Sequence, residues 1–168
     1  VDDVAAPKRK RQGVIIFDGV QSILANAFRD SSFVVITIPD SVTTIGEGAF
    51  YKCSLLETVT IGSSVTTIGE AAFRGCTSLK TVTIPDSVTR IDEGAFRGCT
   101  SLKTVTVGDS VTTIGDGAFY KCSSLGSIAL PATLEVIGDT AFAYCTALRL
   151  ASAVFPASVA RIGNGAFY

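Results

Sequence analysis

Apolar residues recur along this chain at regular intervals, and polar residues lie between them. In the segment 76–96, Val82 and Ile84 alternate with Thr81 and Thr83. This period of two predicts a short strand with its apolar side chains towards a core and its threonines towards solvent. The other apolar residues of the segment are spaced more widely: Leu79, Val88, Ile91, Ala95 and Phe96. We expect all of them to face the same core.

The residues after this strand predict a turn, a second strand and a helical turn. Pro85, or a glycine in the equivalent position, turns the chain, and Val88 and Ile91 enter the core from a second extended segment. The motif E-G-A-F-R-G-C that follows has an acid at its start and a base near its end, as a short helix with a favourable dipole would. Five glycines close the second segment: Gly46, Gly69, Gly115, Gly138 and Gly163. Asp92 is the exception, and we expect this position to need a positive φ angle.

The whole unit repeats along the chain. Its most regular marker is the phenylalanine of an Ala-Phe pair, and the steps between successive copies are 22, 23, 23, 23, 23 and 25 residues. The copies are Phe28, Phe50, Phe73, Phe96, Phe119, Phe142 and Phe167. A fixed period of this length indicates a solenoid, so we predict an α/β fold: a right-handed coil of about six to seven repeats with short parallel strands and short helical turns. One residue is missing between Phe28 and Phe33 and two are added between Leu148 and Phe155, changes that loops tolerate.

The chain divides into a short basic arm and one repeat domain. Residues 1–12 lack the repeat and include a basic run, Lys8–Arg11, so we predict a flexible arm there and a single solenoid over 13–168. The chain contains no methionine, which indicates a processed form or a fragment. Tyr168 directly follows a repeat without a polar segment behind it, whereas solenoid ends normally need such a cap. We expect further chain or a partner beyond it.

The charge balance argues against nucleic acid and membranes as partners. The chain of 168 residues has 14 Lys and Arg against 15 Asp and Glu, a net charge of -1, so no overall field draws it to nucleic acid or to a membrane surface. No apolar run approaches the roughly 20 residues that span a bilayer. The run Lys8–Arg11 is typical of a solvated tail, although short basic runs also serve as nuclear-localisation or nucleic-acid patches. It could also dock a protein.

Five cysteines occur 23 residues apart: Cys53, Cys76, Cys99, Cys122 and Cys145. In a parallel stack they form one column, with neighbouring Cα atoms about 5 Å apart, within the disulfide range. Equivalent positions have parallel Cα–Cβ vectors, however, and five is an odd number. We therefore predict a structural core column of buried free thiols, with occasional oxidation as the alternative. A metal column has little support, because zinc sites favour C-x-x-C or histidine spacing.

The absence of histidine argues against catalysis. The chain has no His, so no Cys-His or Ser-His-Asp arrangement can activate a nucleophile. The acids recur in columns, as at Glu47, Glu70 and Glu93, which fits the first turn of each predicted helix better than a carboxylate pair for acid–base work. No glycine-rich phosphate-binding motif occurs. We predict a non-enzymatic protein with no catalytic residues, no metal site and no cofactor.

The repeat resembles that of a known family. Written as L-x-x-V-x-I-P/G-x-S-V-T-x-I-G-x-x-A-F-x-x-C, it is similar over about residues 14–168 to the repeat of the BspA-like, or treponemal-type, leucine-rich repeat family. The resemblance implies a leucine-rich-repeat solenoid and, for many members, a surface-exposed or secreted protein that binds host or matrix proteins or other cells. An extracellular or cell-surface location is therefore expected. Two features depart from the pattern: Ser31 stands where a cysteine is expected, and R-L-A-S-A-V-F-P after Leu148 breaks the spacing.

The outward positions of the first strand form the candidate partner-binding face. In a parallel stack its threonines and charged residues would line up on one polar surface. They are Glu57, Thr58, Thr60, Lys80, Thr81, Thr83, Lys103, Thr104 and Thr106. An ordinary solvated face is the simplest interpretation, and a protein-binding face is its main competitor, because solenoids use extended surfaces for contact. Ice binding through the Thr-x-Thr ladders is a remote third, since charged residues interrupt the face and Ser127 and Ala129 end it.

The sequence supports three functional hypotheses. The first is an adhesin-like interaction module that recognises a protein partner through the strand face. The second is a structural or scaffold subunit of a larger assembly, docked at the open end near Tyr168 and through the basic arm, and the third is ice binding. The helical-turn side offers Tyr51, Tyr120 and Tyr144 beside lysines and arginines, a composition found at interfaces but also among scattered surface aromatics.

Overall fold

The computed structural model describes residues 11–149 and 155–168, and within these ranges the chain forms two parallel sheets. The strands of the first sheet are β1 (Arg11–Ile15), β3 (Phe33–Thr37), β5 (Thr58–Thr60), β7 (Thr81–Thr83), β9 (Thr104–Thr106) and β11 (Ser127–Ile128). The strands of the second sheet are β2 (Ser22–Ile23), β4 (Thr44–Ile45), β6 (Thr67–Ile68), β8 (Arg90–Ile91), β10 (Thr113–Ile114), β12 (Val136–Ile137) and β13 (Arg161–Ile162). Strands that are one repeat apart are neighbours in each sheet.

Strand pairing places equivalent residues of successive repeats opposite each other. Thr81 of β7 lies opposite both Thr58 of β5 and Thr104 of β9. In the second sheet, Ile91 of β8 lies opposite Ile68 of β6. Each repeat is therefore one turn of a coil, and the predicted stack of short parallel strands is confirmed.

The apolar columns pack into one continuous core along the coil. Phe50, Phe73, Phe96 and Phe119 are fully buried, and their rings stack at centroid distances of 4.9 to 5.4 Å. Val82, predicted to face inwards, is 2% exposed. Each ring covers the next, so the burial of one repeat depends on the presence of its neighbours.

The turn segments, residues 47–53 and their equivalents, are not helical, which corrects the sequence prediction. The N–H of Arg74 donates to the carbonyl of Ala71 within its own turn at 3.0 Å, whereas the N–H of Phe73 donates to the carbonyl of Ala95 in the next turn at 2.8 Å. The same alternation recurs in the other turn segments. Because every second N–H bonds along the coil axis, the continuous bonding of an α-helix cannot form. A third set of inter-turn hydrogen bonds, here called the turn ladder, takes its place.

The glycine column that closes the second strands also differs from its prediction. Gly46 and its equivalents do not have a positive φ; the left-handed backbone begins two residues later, as at Gly48 with φ 56°. The column needs glycine because neighbouring turns approach closely: a Cβ on Gly46 would lie 2.8 Å from the carbonyl oxygen of Ile23. Asp92 does carry a Cβ in this column, and its N–H bond to Ile68 is longer, at 3.3 Å, than the 2.8 to 2.9 Å of the described glycines.

Parts of two predicted features lie outside the described residues. Residues 1–10, which contain most of the basic arm, and residues 150–154, where the repeat spacing breaks, are not among them. Arg11, the last residue of the basic run, is the first residue of β1. Across the two described ranges, no helix has the length and apolar character needed to cross a membrane.

Candidate functional site

The candidate partner-binding face is the outer surface of β5, β7 and β9. In each of these strands the two threonines are exposed and the valine between them is buried. Strand pairing aligns Thr58, Thr81 and Thr104 in one row and Thr83 with Thr106 in a second row. The backbone holds both rows in register, so the face presents hydroxyl groups at the strand spacing of about 4.8 Å.

A row of charged residues flanks these threonines, one position before each strand. The Nζ atom of Lys80 lies 2.7 Å from Oε2 of Glu57. The lysine side chain is 58% exposed and the glutamate side chain 34%, and such surface pairs contribute little to stability. The pair joins two turns and neutralises its own charge. Lys103, on the next turn, is exposed and adds a positive charge to the face.

The polar character of the face changes towards both ends. On β3, Val35 is 38% exposed and lies opposite Thr58. On the other side, Ser127 lies opposite Thr104, and Ala129 is exposed beyond it. The threonine rows are thus confined to three consecutive turns.

The cysteine column lies in the core and away from this face. Its five members are buried and are not joined by disulfide bonds. Each thiol donates a hydrogen bond to a phenylalanine carbonyl of the previous turn, as from Cys99 Sγ to the oxygen of Phe73 at 3.2 Å. Burial raises the pKa of Cys99 to about 12 and that of Cys145 to about 11. At neutral pH these thiols are protonated and therefore poor nucleophiles.

The turn segments gather four cations and two tyrosines, of which the sequence predicted only the tyrosines. Together with two glycines they line a shallow recess of about 300 Å³, here called the basic groove: Tyr51, Lys52, Arg74, Gly75, Arg97, Gly98, Tyr120 and Lys121. Arg74 and Arg97 each follow the core phenylalanine of their repeat, and Tyr51 and Tyr120 do the same. That shared position is the signal in the sequence that identifies the cluster. The third predicted tyrosine, Tyr144, contacts the edge of the Tyr120 ring at a centroid distance of 5.3 Å.

A second recess lies at the C-terminal turn, near the predicted docking point. It has a volume of about 450 Å³. The residues that line it are Phe142, Tyr144, Cys145, Thr146, Leu148, Phe167 and Tyr168. Tyr168 is 79% exposed, so its ring is available for contact.

Comparison with known proteins relates this coil to bacterial repeat proteins. A family model described as a BspA type leucine-rich repeat region matches residues 9–85 and 45–168, in six copies. Among solved structures, the chain is similar to the leucine-rich repeat protein of T. pallidum, with 33% identity and a TM-score of 0.78 over 81% of this chain and 66% of that one. It is also similar to a leucine-rich cell surface protein from Faecalibacterium prausnitzii, with 37% identity and a TM-score of 0.69 over 71% of this chain and 32% of that one.

A third solved structure, a leucine-rich repeat protein from Eubacterium ventriosum, has 31% identity and a TM-score of 0.81 over 93% of this chain and 42% of its own. Comparison with curated proteins found no significant match. The chain spans between 32% and 66% of the three bacterial chains. The family model nevertheless covers the whole repeat region, in agreement with the parallel coil. The chain therefore belongs to the BspA type leucine-rich repeat family.

Proposed function

We propose that this chain is a non-enzymatic interaction module of a surface or secreted protein, which binds a protein partner through its strand face. The observation that supports this proposal most directly is the alignment of exposed threonines on three consecutive strands. A rigid sheet surface of this kind binds a partner with little loss of backbone freedom. The similar protein from Faecalibacterium prausnitzii is described as a cell surface protein, which supports the same location here.

The charged row gives this face its recognition features. Glu57 and Lys80 form a bridge between two turns, and Lys103 extends the row. Charges at the rim of an interface mainly set orientation and association rate, whereas the threonine hydroxyls supply hydrogen bonds in both directions. Ice binding is less well supported, because the Lys80–Glu57 pair interrupts the regular lattice of hydroxyls.

The proposal is tested by reversing charge on the face. The variant Lys80→Glu with Lys103→Glu and the unmodified chain are measured by biolayer interferometry against a panel of purified extracellular-matrix proteins. We expect at least one panel protein to bind the unmodified chain and to bind the variant at least about tenfold more weakly. Arg90→Glu with Arg161→Glu, on β8 and β13 of the second sheet, changes the net charge equally and is the matched control.

Two results would count against the strand face. If affinity for the bound matrix protein is the same in the Lys80/Lys103 variant as in the unmodified chain, the binding site lies elsewhere on the coil. If the second-sheet control loses affinity to the same degree, the interaction reflects net charge and not this face.

The scaffold alternative rests on a different observation, the recess at the C-terminal turn and the exposed ring of Tyr168. A subunit that docks there would be recovered from its source with other proteins in a fixed ratio. Tyr168→Ser should then reduce that ratio while leaving binding at the strand face unchanged, as measured by quantitative mass spectrometry of the purified complex.

A further inference from the structure

The basic groove on the turn segments is a second candidate binding surface, separate from the strand face. Lys52, Arg74, Arg97 and Lys121 occupy four consecutive turns along one side of the coil. Three of the four side chains belong to exposed residues, and Arg97 is half-buried. The groove therefore concentrates positive charge on a chain whose net charge is -1.

This positive charge is not compensated by neighbouring acids. Within residues 11–149 and 155–168, the ion pairs of the arginines and lysines involve Arg29, Lys80, Arg90 and Arg161, and no cation of the groove. The four groove cations thus have no carboxylate within 4 Å in the described part of the chain. An anion that enters the groove would supply the charge that the protein does not.

Cation–π contacts hold the cations in place around the two tyrosines. The Arg97 guanidinium lies 4.3 Å from the ring centroid of Tyr120, and Lys121 Nζ lies 5.4 Å from it. On the other side, Lys52 Nζ lies 5.3 Å and Arg74 5.7 Å from the ring of Tyr51. These contacts reduce the side-chain freedom that binding would otherwise have to remove.

The backbone beneath the groove is fixed by the turn ladder. The N–H of Lys52 donates to the carbonyl of Arg74 at 2.7 Å, and the N–H of Gly75 donates to the carbonyl of Arg97 at 2.8 Å. Gly98 continues the ladder on the following turn. Because Gly75 and Gly98 have no side chain, the groove is open at its centre, between the longer side chains of Lys52 and Lys121.

The spacing of the cations selects an extended acidic peptide. Successive turns are about 4.8 Å apart, so four cations span about 15 Å along the coil. In an extended peptide, alternate side chains point the same way at intervals of about 6.6 Å, so three alternating carboxylates span about 13 Å. Arginine guanidinium groups bind carboxylates through paired hydrogen bonds. We propose that the basic groove binds an extended, acidic segment of a partner polypeptide, with carboxylates at alternate positions.

This site goes beyond the proposed strand-face function and stands independently of it. The experiment uses a fluorescein-labelled peptide that alternates glutamate and serine, and measures its affinity by fluorescence anisotropy at low ionic strength. We expect Arg74→Gln with Arg97→Gln to weaken binding by about tenfold, equivalent to about 1.4 kcal/mol. The variant Lys80→Gln with Lys103→Gln removes the same charge from the strand face, and we expect it to change affinity by less than about twofold.

Further arms test the chemistry of recognition. Arg74→Lys with Arg97→Lys keeps the charge but loses the paired hydrogen bonds, so we expect an intermediate loss of affinity. Circular dichroism melting curves of all variants check that each remains folded. An equal loss in both glutamine variants, no loss in the Arg74/Arg97 variant, or tighter binding of a sulfated oligosaccharide with the same charge as the peptide would each overturn the proposal.

Discussion

At the residue scale, the cysteine column shows how a reactive side chain becomes an ordinary core residue. Cys99 is fully buried and its thiol donates a hydrogen bond to the carbonyl of Phe73. Its pKa is raised to about 12 because burial disfavours the thiolate. Since the thiolate is the nucleophilic form, neither alkylation nor oxidation is expected while the coil is folded.

Iodoacetamide labelling tests this inertness. At pH 8.5 we expect the five native thiols to react at least about a hundredfold more slowly than a free cysteine, because a pKa raised by two or more units lowers the thiolate fraction by that factor. Peptide mass spectrometry measures each rate. Ser54→Cys introduces a thiol at an exposed position beside Cys53 and should react rapidly. Fast labelling of Cys99 in the folded protein would contradict the burial that we describe.

Glycine positions are decided by contacts between turns. Gly108 is stacked on Pro85, and a Cβ there would lie 2.5 Å from the proline carbonyl oxygen. Gly126 has a similar exposure class to many loop residues, but its Cβ would meet nothing closer than 4.0 Å. Two glycines of the same repeat therefore have opposite tolerance for a methyl group.

Replacing each of these glycines with alanine tests that difference. We expect Gly108→Ala to lower the free energy of unfolding by about 1–3 kcal/mol, because neighbouring turns must separate. Gly126→Ala should change it by less than about 1 kcal/mol, and in the stabilising direction if it reduces the freedom of the unfolded chain. Urea denaturation measures both, and equal destabilisation would show that close approach is not the cause.

At the element scale, the phenylalanine stack and the turn ladder support each other. The rings of Phe73, Phe96 and Phe119 are nearly parallel, with interplanar angles of 2° and 4°. The N–H of Phe96 donates to the carbonyl of Ala118 at 2.8 Å, so the same residues that stack their side chains also bond their backbones. A central ring is covered on both sides, whereas Phe167 of the last repeat is only partly buried.

Alanine substitution distinguishes central from terminal rings. We expect Phe96→Ala to cost about 3–5 kcal/mol, the usual range for a buried phenylalanine. Phe167→Ala should cost less than about half of this, because its ring already contacts solvent. The free energy of unfolding from urea titration is the measurement, and a larger loss at Phe167 would contradict the order of burial.

At the scale of the whole molecule, the coil is a one-dimensional stack in which each repeat contacts its neighbours. Stability in such proteins is approximately a sum of repeat and interface contributions. One column alternates with a period of two repeats, however: Pro39, Gly62, Pro85, Gly108 and Pro131. Glycine is required directly after proline, because a Cβ on Gly62 would lie 2.4 Å from the oxygen of Pro39. The stacking unit at this corner is therefore a pair of repeats.

Insertion variants test this pairing. Duplicating residues 53–98, two complete repeats, keeps the proline–glycine alternation, and we expect a higher urea midpoint and an m-value that is larger by about a quarter, in proportion to chain length. Duplicating residues 76–98 alone stacks proline on proline and should raise the midpoint less, or lower it. A single-repeat insertion that stabilises more than half as much as the double one would refute the pairing.

The candidate sites divide in the same way between pattern and fold. The threonine rows follow from strand alternation and repeat length, and the structure aligns Thr81 with Thr58 and Thr104 as expected from the sequence. Arg74 and Arg97 were not predicted as a group, because an arginine beside a buried phenylalanine has no distinctive local signal. Only the stacking of turns places the two beside Tyr51 and Tyr120 in one recess.

The sequence by itself determined the family, the repeat register, the parallel stack and the identity of the buried columns. These properties depend on apolar periodicity, and a repeated periodicity places each repeat in the environment of the one before it. The tertiary structure alone decided the path of the turn segments, the reason for the glycine column and the basic groove. Each depends on contacts between residues about one repeat apart, where a hydrogen bond such as that from Phe73 to Ala95 replaces the local bond that a helix would have used.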